Sequence, residues 1–374
     1  MPSREVLLTT LNSLNIPRID REDPLLGWWA VLGLTLASML AISCLIRRCE
    51  NLLNTPKHIF PKDFKLQDVQ TFLKNRDQRE APLKPKAASS VTWVNNQPQR
   101  TEFVLLFFHG WSTSPREVEP VDQRVASMLG ANLVRIRLSG HGLESETLAG
   151  SQLMNAATRE AMMRDAATGF ALSKACGSRV ILMGSSTGGT LALWLAAQSW
   201  AKPYISSLVL FSPGVSLAVY GAAYTLLKWP IAVLPTFLSK FVIHLVAGPK
   251  RHVKYISEQQ REICTMEYPS ESVVNICRLY LSLEVGTSAS SIWAPILIFA
   301  NPTDPIVSYS AMRKYVAKTN HTMVDILDSE EEHHITGEIH SPSTVDRVVA
   351  VSVRWLKAAH AAPAESLPLT SGAC

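Results

Sequence analysis

Ser186 stands between two glycines, Gly184 and Gly188, where an apolar run ends and a helical pattern begins. Arg179-Val-Ile-Leu-Met183 has the composition of a buried strand, and Leu191-Ala-Leu-Trp-Leu-Ala-Ala opens a helix. A serine at the apex of such a strand–turn–helix presents its hydroxyl above the sheet edge, beside the partial positive charge of a helix N-terminus. Side chains at positions 184 and 188 would crowd so sharp a bend. The plain alternative is a glycine-rich turn with an incidental serine. The strand before and the helix after favour a nucleophile.

A serine hydroxyl reacts only with a base beside it, a group that orients the base, and donors for the developing oxyanion. Downstream of such an elbow an acid comes first and a histidine second. Asp304 is the candidate acid. It follows the strand-like Pro295-Ile-Leu-Ile-Phe-Ala300 in the loop Asn301-Pro-Thr-Asp304-Pro305, past a strand's C-terminal end, where parallel sheets place functional groups. Asp325 and Asp328 are rivals, the first inside the next strand. The candidate base lies after that strand, Thr322–Asp328. His321 precedes it, whereas His333, His334 and His340 follow it. His334, next to Ile335, is the first choice and His333 the runner-up. The acidic run Ser329-Glu-Glu-Glu332 beside them reads as a solvated loop.

Upstream, Phe103-Val-Leu-Leu-Phe-Phe108 ends in His109-Gly110-Trp111. The backbone N–H groups of Trp111 and Thr187 are the expected oxyanion donors, and the His109 side chain is read as a brace for its loop.

These segments must be held by a sheet. Strands are predicted near Val91, Val104, Leu133, Val180, Leu208, Ile296 and Met323. Helical patterns lie at Glu117–Leu129, Met154–Lys174, Leu191–Trp200, Ala311–Ala317 and Thr344–Ala359. The alternation predicts an α/β fold, a mostly parallel sheet with helices on both faces.

Taken together, His109-Gly-Trp-Ser-Thr-Ser-Pro-Arg-Glu-Val118, Arg137-Leu-Ser-Gly-His141-Gly142, Gly184-Ser-Ser-Thr-Gly188, Asn301-Pro-Thr-Asp304 and the late histidines resemble the α/β-hydrolases, in the serine hydrolase group that includes monoacylglycerol lipase-like enzymes, carboxylesterases and the serine aminopeptidase S33 domain. The resemblance covers roughly Val91 to Ala359. It implies a structural loop role for His141, and a helical lid inserted over the site at residues 214–290, between core halves 91–213 and 291–360. It also implies acyl transfer to water: His334 takes the Ser186 proton, Asp304 orients the imidazole, and no metal or cofactor takes part. The expected substrate is a carboxylic ester, of lipid or monoacylglycerol kind. The same residues would serve a peptidase, amidase or acyltransferase, and a non-catalytic tethered binding domain is the reading from another class.

The chain has 374 residues, 47% hydrophobic and 18% charged, with net charge +5. Its mean hydropathy is +0.10. No basic cluster interleaved with aromatics supports nucleic-acid binding. Cys44, Cys49, Cys176, Cys264, Cys277 and Cys374 show no metal spacing and read as free thiols. After a flank of residues 1–24, Leu25 to Ile46 is an uncharged run with Trp28 and Trp29 near one end and Arg47-Arg48 at the other. About 22 residues at about 1.5 Å each span a hydrocarbon core of about 30 Å. The run is read as a retained transmembrane helix, in preference to a signal peptide, a lipoprotein leader or a buried core helix. Arg4, Arg18 and Arg21 precede it, and Arg47, Arg48, Lys57, Lys62 and Lys65 follow it, which puts the hydrolase on the cytoplasmic side.

Residues 47–90 read as a connector with one short helix, and 361–374 as a disordered tail. Ala218 to Ala247 in the insertion is very apolar, but Lys228, Pro230, Pro235 and Lys240 argue against a second span. Two readings stand for it: a lid lining the acyl pocket, and a lid whose outer side dips into a bilayer.

Overall fold

The computed structural model describes residues 32, 33, 35, 64–79, 82–218, 228, 230–231, 234–325 and 336–361. The predicted strands all form. In chain order they are β1 (Ser90–Thr92), β2 (Thr101–Phe108), β3 (Asn132–Ile136), β4 (Gly177–Ser185), β5 (Ile205–Phe211), then β8 (Ile296–Ala300) and β9 (His321–Asp325). They make one seven-stranded sheet in the order β1-β3-β2-β4-β5-β8-β9. Only β1 runs antiparallel to its neighbour.

Alternation along the strands divides the core into two faces. Val104, Leu106, Phe108, Val180, Leu182, Leu208 and Ile296 point to one side. Leu105, Phe107, Ile181, Met183, Val209 and Leu297 point to the other. The first face is covered by α1 (Asp68–Asp77), α4 (Arg159–Cys176) and α5 (Thr187–Ala197), the second by α2 (Val121–Leu129) and α10 (Val345–Ala361). The remaining core helices are α3 (Glu146–Asn155) and α9 (Tyr309–Val316). The faces are apolar on both sides, as sheets covered twice must be.

Two boundaries differ from the sequence reading. The helix expected over Met154–Lys174 is two, α3 and α4. They break where the Ala156 and Ala157 N–H groups both turn back to the Gln152 carbonyl, and the Thr158 hydroxyl caps α4 by accepting from Ala161 N at 3.2 Å. The helix expected from Glu117 starts at Val121, because Pro120 precedes it and Glu117 is engaged elsewhere. The one short helix expected within 47–90 forms as α1, and it packs on the sheet. Helix α1 buries Val69 and Leu73 in the core, Arg76 donates to the Arg137 carbonyl at 2.8 Å, and Asp77 accepts from Ser89 N at 2.6 Å.

Between β5 and β8 the chain builds a cap with its own cluster of Leu217, Ile231, Ile243, Val273, Val274, Cys277 and Tyr280. It is not purely helical. Helices α6 (Thr236–Ala247), α7 (Glu258–Ile263) and α8 (Val273–Gly286) are joined by a two-stranded antiparallel ribbon of β6 (Lys250–His252) and β7 (Glu267–Pro269). Buried Lys84 ties α7 to the core by donating to the carbonyls of Arg261 at 2.7 Å and Cys264 at 2.6 Å. The outer side of α6 is apolar: Phe237, Phe241 and Leu245, one turn apart, are 69%, 59% and 67% exposed.

Among the described residues, no helix is long and apolar enough to cross a membrane. The run Leu25–Ile46 lies outside them, except for Leu32, Gly33 and Thr35, which are helical. The tail from residue 362 also lies outside them. Cys176, Cys264 and Cys277 are buried free thiols.

Candidate active site

Ser186 sits at the junction of β4 and α5 with φ 49° and ψ −115°. For a residue with a Cβ this is strained backbone, of order 1–3 kcal/mol. The surroundings impose it. Its N–H donates to the Phe211 carbonyl on β5 at 2.9 Å, and its carbonyl accepts from Gly214 N at 2.9 Å and Thr190 N at 3.2 Å. The turn closes only because the flanking glycines lack side chains. A Cβ on Gly188 would stand 2.0 Å from the Phe108 carbonyl oxygen, and one on Gly184 would stand 2.6 Å from that of Gly188. Ser186 is 5% exposed.

The loop after β2 packs directly on the elbow. A Cβ on Gly110 would lie 3.3 Å from the Ser186 Cβ. Gly110 N donates to the buried Glu117 carboxylate at 2.7 Å. The cap holds the same loop from the other side, since Thr265 N donates to the Ser112 carbonyl at 2.7 Å, where Ser112 has φ 59°. Trp111 follows Gly110, and Thr187 follows Ser186 at the first turn of α5. Among the described residues, neither N–H donates to a backbone carbonyl.

His109 braces this loop. Its Nε2 accepts from Leu138 N at 3.0 Å, which leaves Nδ1–H to donate to the Gly110 carbonyl at 2.8 Å. Burial, then the neighbouring His141 and Arg137, hold its pKa well below the usual histidine value, so the ring is neutral. His141 lies edge-on to both His109 and Trp111, with ring centroids 5.1 Å apart in each pair. Arg137 donates to the His141 carbonyl at 2.9 Å and fixes that buttress.

Asp304 is buried in the loop after β8. One carboxylate oxygen accepts from Ile306 N at 2.8 Å and Val307 N at 3.0 Å. A continuous backbone path joins it to the elbow: Gly214 bonds to Ser186, and the segment that follows Gly214 pairs with Val307 through Leu217 and with Ile306 through Ala218 N at 2.8 Å. The rival Asp325 ends β9 and accepts from the Tyr309 hydroxyl at 2.7 Å. Asp328 lies outside the described residues.

His333 and His334 also lie outside them. His321 opens β9 opposite Ile296, at the end of the sheet away from Ser186. His340 N–H donates to the Gly337 carbonyl at 3.2 Å. The chain re-enters the description at Thr336, which is buried. Gly337, φ 129°, packs so tightly on the Glu117–Val118 backbone that a Cβ would stand 2.7 Å from the Glu117 carbonyl oxygen. Glu338 N donates to the Glu119 carbonyl at 2.8 Å.

Two residues of the site carried no role in the sequence reading. Glu117 lies within the quoted His109–Val118 segment, and its acid beside an otherwise apolar strand end was the available signal. Tyr280 comes from the cap. It is 2% exposed, and its hydroxyl stands 2.0 Å from where a Cβ of Gly214 would lie, beside the elbow. The only hint in Val273-Val-Asn-Ile-Cys-Arg-Leu-Tyr280 was that a phenol inside an apolar helix needs a partner.

A family model described as serine aminopeptidase, S33 matches residues 99–339. Comparison with curated protein sequences finds no match. Among solved structures, one reported for LipS and LipT, two metagenome-derived lipolytic enzymes, superposes with TM-score 0.56 at 13% identity, covering 75% of this chain and 100% of that one. The monoacylglycerol lipase of Paleococcus ferrophilus gives TM-score 0.47 at 13% identity over 72% and 98% of the two chains. A soluble variant of monoglyceride lipase from Saccharomyces cerevisiae gives 0.48 at 13% over 73% and 91%. The first of these carries the likeness in fold. By the span of the family match, the chain belongs to the serine aminopeptidase S33 family and is a serine hydrolase with the α/β-hydrolase fold.

Proposed function

We propose that the protein cleaves carboxylic esters of apolar, lipid-like acids through an acyl-enzyme on Ser186. In this reading His334 removes the hydroxyl proton as Ser186 attacks the ester carbonyl, and Asp304 orients the imidazole. The N–H groups of Trp111 and Thr187 hold the oxyanion, and water resolves the acyl-enzyme through the same base. One observation carries the reading: Ser186 is held in a strained conformation against Gly110, with the Asp304 loop tied to it through Gly214 and Leu217. Asp304 already accepts two backbone N–H bonds on one oxygen, as an orienting carboxylate does. The anchoring of Gly337 on the Glu117–Val118 backbone and of Glu338 on the Glu119 carbonyl sets the chain just past His334 close to the segment that follows the Gly110 loop, and this supports His334 as the base. His333 remains its runner-up.

The lipid-like substrate follows from apolar surface. The exposed stripe Phe237, Phe241 and Leu245 on α6 suits contact with a bilayer. The run Leu25–Ile46 suits a membrane anchor, with the catalytic unit on the cytoplasmic side by the Lys and Arg balance.

The test is an acyl-chain-length series of p-nitrophenyl esters on the detergent-extracted full chain, with aminoacyl amides in parallel and Ser186→Ala as control. Ester turnover that rises with chain length and vanishes with Ser186→Ala is expected, together with fluorophosphonate labelling that Ser186→Ala abolishes. Labelling that survives Ser186→Ala overturns the nucleophile. Faster cleavage of amides than esters overturns the substrate class. His334→Ala should cost far more activity than His333→Ala, and equal, mild losses would move the base to His340.

A further inference from the structure

Gly110 is the pivot of the loop that packs on the nucleophile. A glycine has two soft dihedrals and no side chain to hold it, yet both of its polar groups are pinned. Its carbonyl accepts from His109 Nδ1–H at 2.8 Å, and its N–H donates to Glu117 Oε2 at 2.7 Å. The Glu117 side chain is fully buried. Its other carboxylate oxygen lies 2.8 Å from where a Cβ of Gly110 would stand, and the Ser186 Cβ lies 3.3 Å from the same point. A carboxyl group is costly to bury, and the bond to Gly110 N–H offsets part of that cost. A peptide unit is planar, with its N–H antiparallel to its C=O. The Gly110 carbonyl and the Trp111 N–H share one unit, so the bond from His109 aims the Trp111 N–H only if Gly110 cannot turn about its own N–H. Glu117 stops that turn. Its main chain makes a second contact: a Cβ on Gly337, three residues beyond His334, would stand 2.7 Å from the Glu117 carbonyl oxygen.

We propose that Glu117 is a positioning residue for the oxyanion hole: its carboxylate holds Gly110 by the N–H, and so keeps the Trp111 N–H aimed at the oxygen that becomes charged in the transition state. This rests on the roles of Ser186 and Trp111 proposed above. Glu117 touches no reacting atom and acts through Gly110. A well-aimed donor is worth most once charge has developed on the oxygen, and least to the neutral ester carbonyl. Loss of the bond therefore acts on kcat and leaves ground-state binding nearly as it was. The geometry also sets what the side chain must be. It has to span from residue 117 to the Gly110 N–H and end in an acceptor, so reach decides the effect and charge does not.

Reach and charge can be separated. Glu117→Asp keeps the carboxylate but ends one carbon–carbon bond short of Gly110. Glu117→Gln keeps the length and an amide oxygen that can accept from Gly110 N, and loses the carboxylate. Turnover of p-nitrophenyl butyrate and inhibition by an alkyl trifluoromethyl ketone are measured for both, beside thermal melting. Ser186 Oγ adds to the ketone carbon, its proton passes to the base, and the former carbonyl oxygen carries the negative charge, so inhibition reports the oxyanion hole directly. Glu117→Asp is expected to lower kcat about 10- to 100-fold with KM within about twofold, and to weaken inhibition by a similar factor. Glu117→Gln is expected to stay within about fivefold of wild type in both. If Glu117→Asp does not fold, Glu117→Ala read against Glu117→Gln carries the same comparison. Wild-type kcat in the shortened variant overturns the proposal. So does a Glu117→Gln as slow as Glu117→Asp, which would place the effect in the charge, and so does a raised KM at unchanged kcat, which would place it in ground-state binding. Turnover that persists in Ser186→Ala removes the nucleophile assignment, whereas a dead Ser186→Ala beside an unaltered Glu117→Asp removes only the role of Glu117.

Discussion

The elbow around Ser186 and the cap around Tyr280 meet at Gly214, yet they are specified in opposite ways. The elbow is local. A strand, two glycines and a helix start within a dozen or so residues compel its backbone, and the neighbouring β2 and β5 carbonyls leave no slack. The cap is assembled at long range. Lys84 grips α7, Asn275 donates to the Leu153 carbonyl of α3 at 3.0 Å, and Thr265 holds the Ser112 carbonyl. The core supplies rigid backbone groups, where a small displacement would be most costly. The cap supplies a side chain, together with the apolar α6 surface, where variation is better tolerated.

The comparison breaks most sharply at Gly188. A Cβ there meets the Phe108 carbonyl oxygen at 2.0 Å and its carbon at 2.5 Å, and backbone on that side cannot move without unzipping β2 from β4. Gly188→Ala should cost about 3 kcal/mol or more and abolish fluorophosphonate labelling. Thermal melting and labelling check it together. A labelled variant melting near wild type would mean the elbow is far softer than its contacts imply. Gly214→Ala probes the seam between the two regions. Its Cβ meets a side chain, 2.0 Å from the Tyr280 oxygen. Folding should survive with the phenol displaced, and Tyr280→Leu in the same chain should recover part of the lost stability.

This difference also explains what could be read in advance. The seven strands and the elbow were legible because each depends on its own residues: apolar runs, glycine spacing, a strand ending in His109-Gly110. The place of Asp304, in a loop past the end of β8, was legible from the apolar strand before it. Tyr280 was not, because nothing in the apolar pattern of α8 distinguishes a phenol packed against Gly214 beside the elbow from one buried within the cap. The break at Ala156 was missed because alanines carry helical propensity on both sides of it, and only the Thr158 cap reveals the restart. The docking of helix α1 was not legible because its apolar positions are few, and its attachment relies on Arg76 meeting the Arg137 carbonyl just past β3 and on Asp77 meeting Ser89 just before β1.

Within the core, Glu117→Ala should separate positioning from folding. The carboxylate receives Gly110 N–H next to the proposed oxyanion donor Trp111. Its loss should lower kcat about 10- to 100-fold with KM little moved, since the ground state gains least from that loop. An unchanged kcat would mean the Ser112–Thr265 bond alone fixes the loop. In the cap, Lys84→Met removes the donor to two carbonyls and should destabilise by about 1–3 kcal/mol. Limited proteolysis between residues 248 and 270 should accelerate well before global unfolding does. Uniform protection would show that cap and core open together.

The smallest effect is expected far from both regions, at His360 on α10. Its ring stacks on Phe103 with centroids 4.3 Å apart and lies 3.3 Å from the Ser207 hydroxyl. Burial, then Arg179, lowers its pKa to about 4. The unfolded chain titrates near 6.5, so it binds the proton more readily than the folded one. The stability that His360 contributes is therefore complete above about 6.5 and is lost as pH falls toward about 4. Solvent reaches part of the ring, so the loss is well short of what a sealed site would show. Urea unfolding at pH 7 and pH 5 should give wild type a steeper decline than His360→Phe, which keeps the stack and cannot take the proton. His109, sealed behind Gly110, has its pKa shifted the same way, but its protonation would also disturb the loop on Ser186. Activity should thus fall with acid even in His360→Phe, and a variant whose stability slope matches wild type would place the acid sensitivity wholly at the elbow.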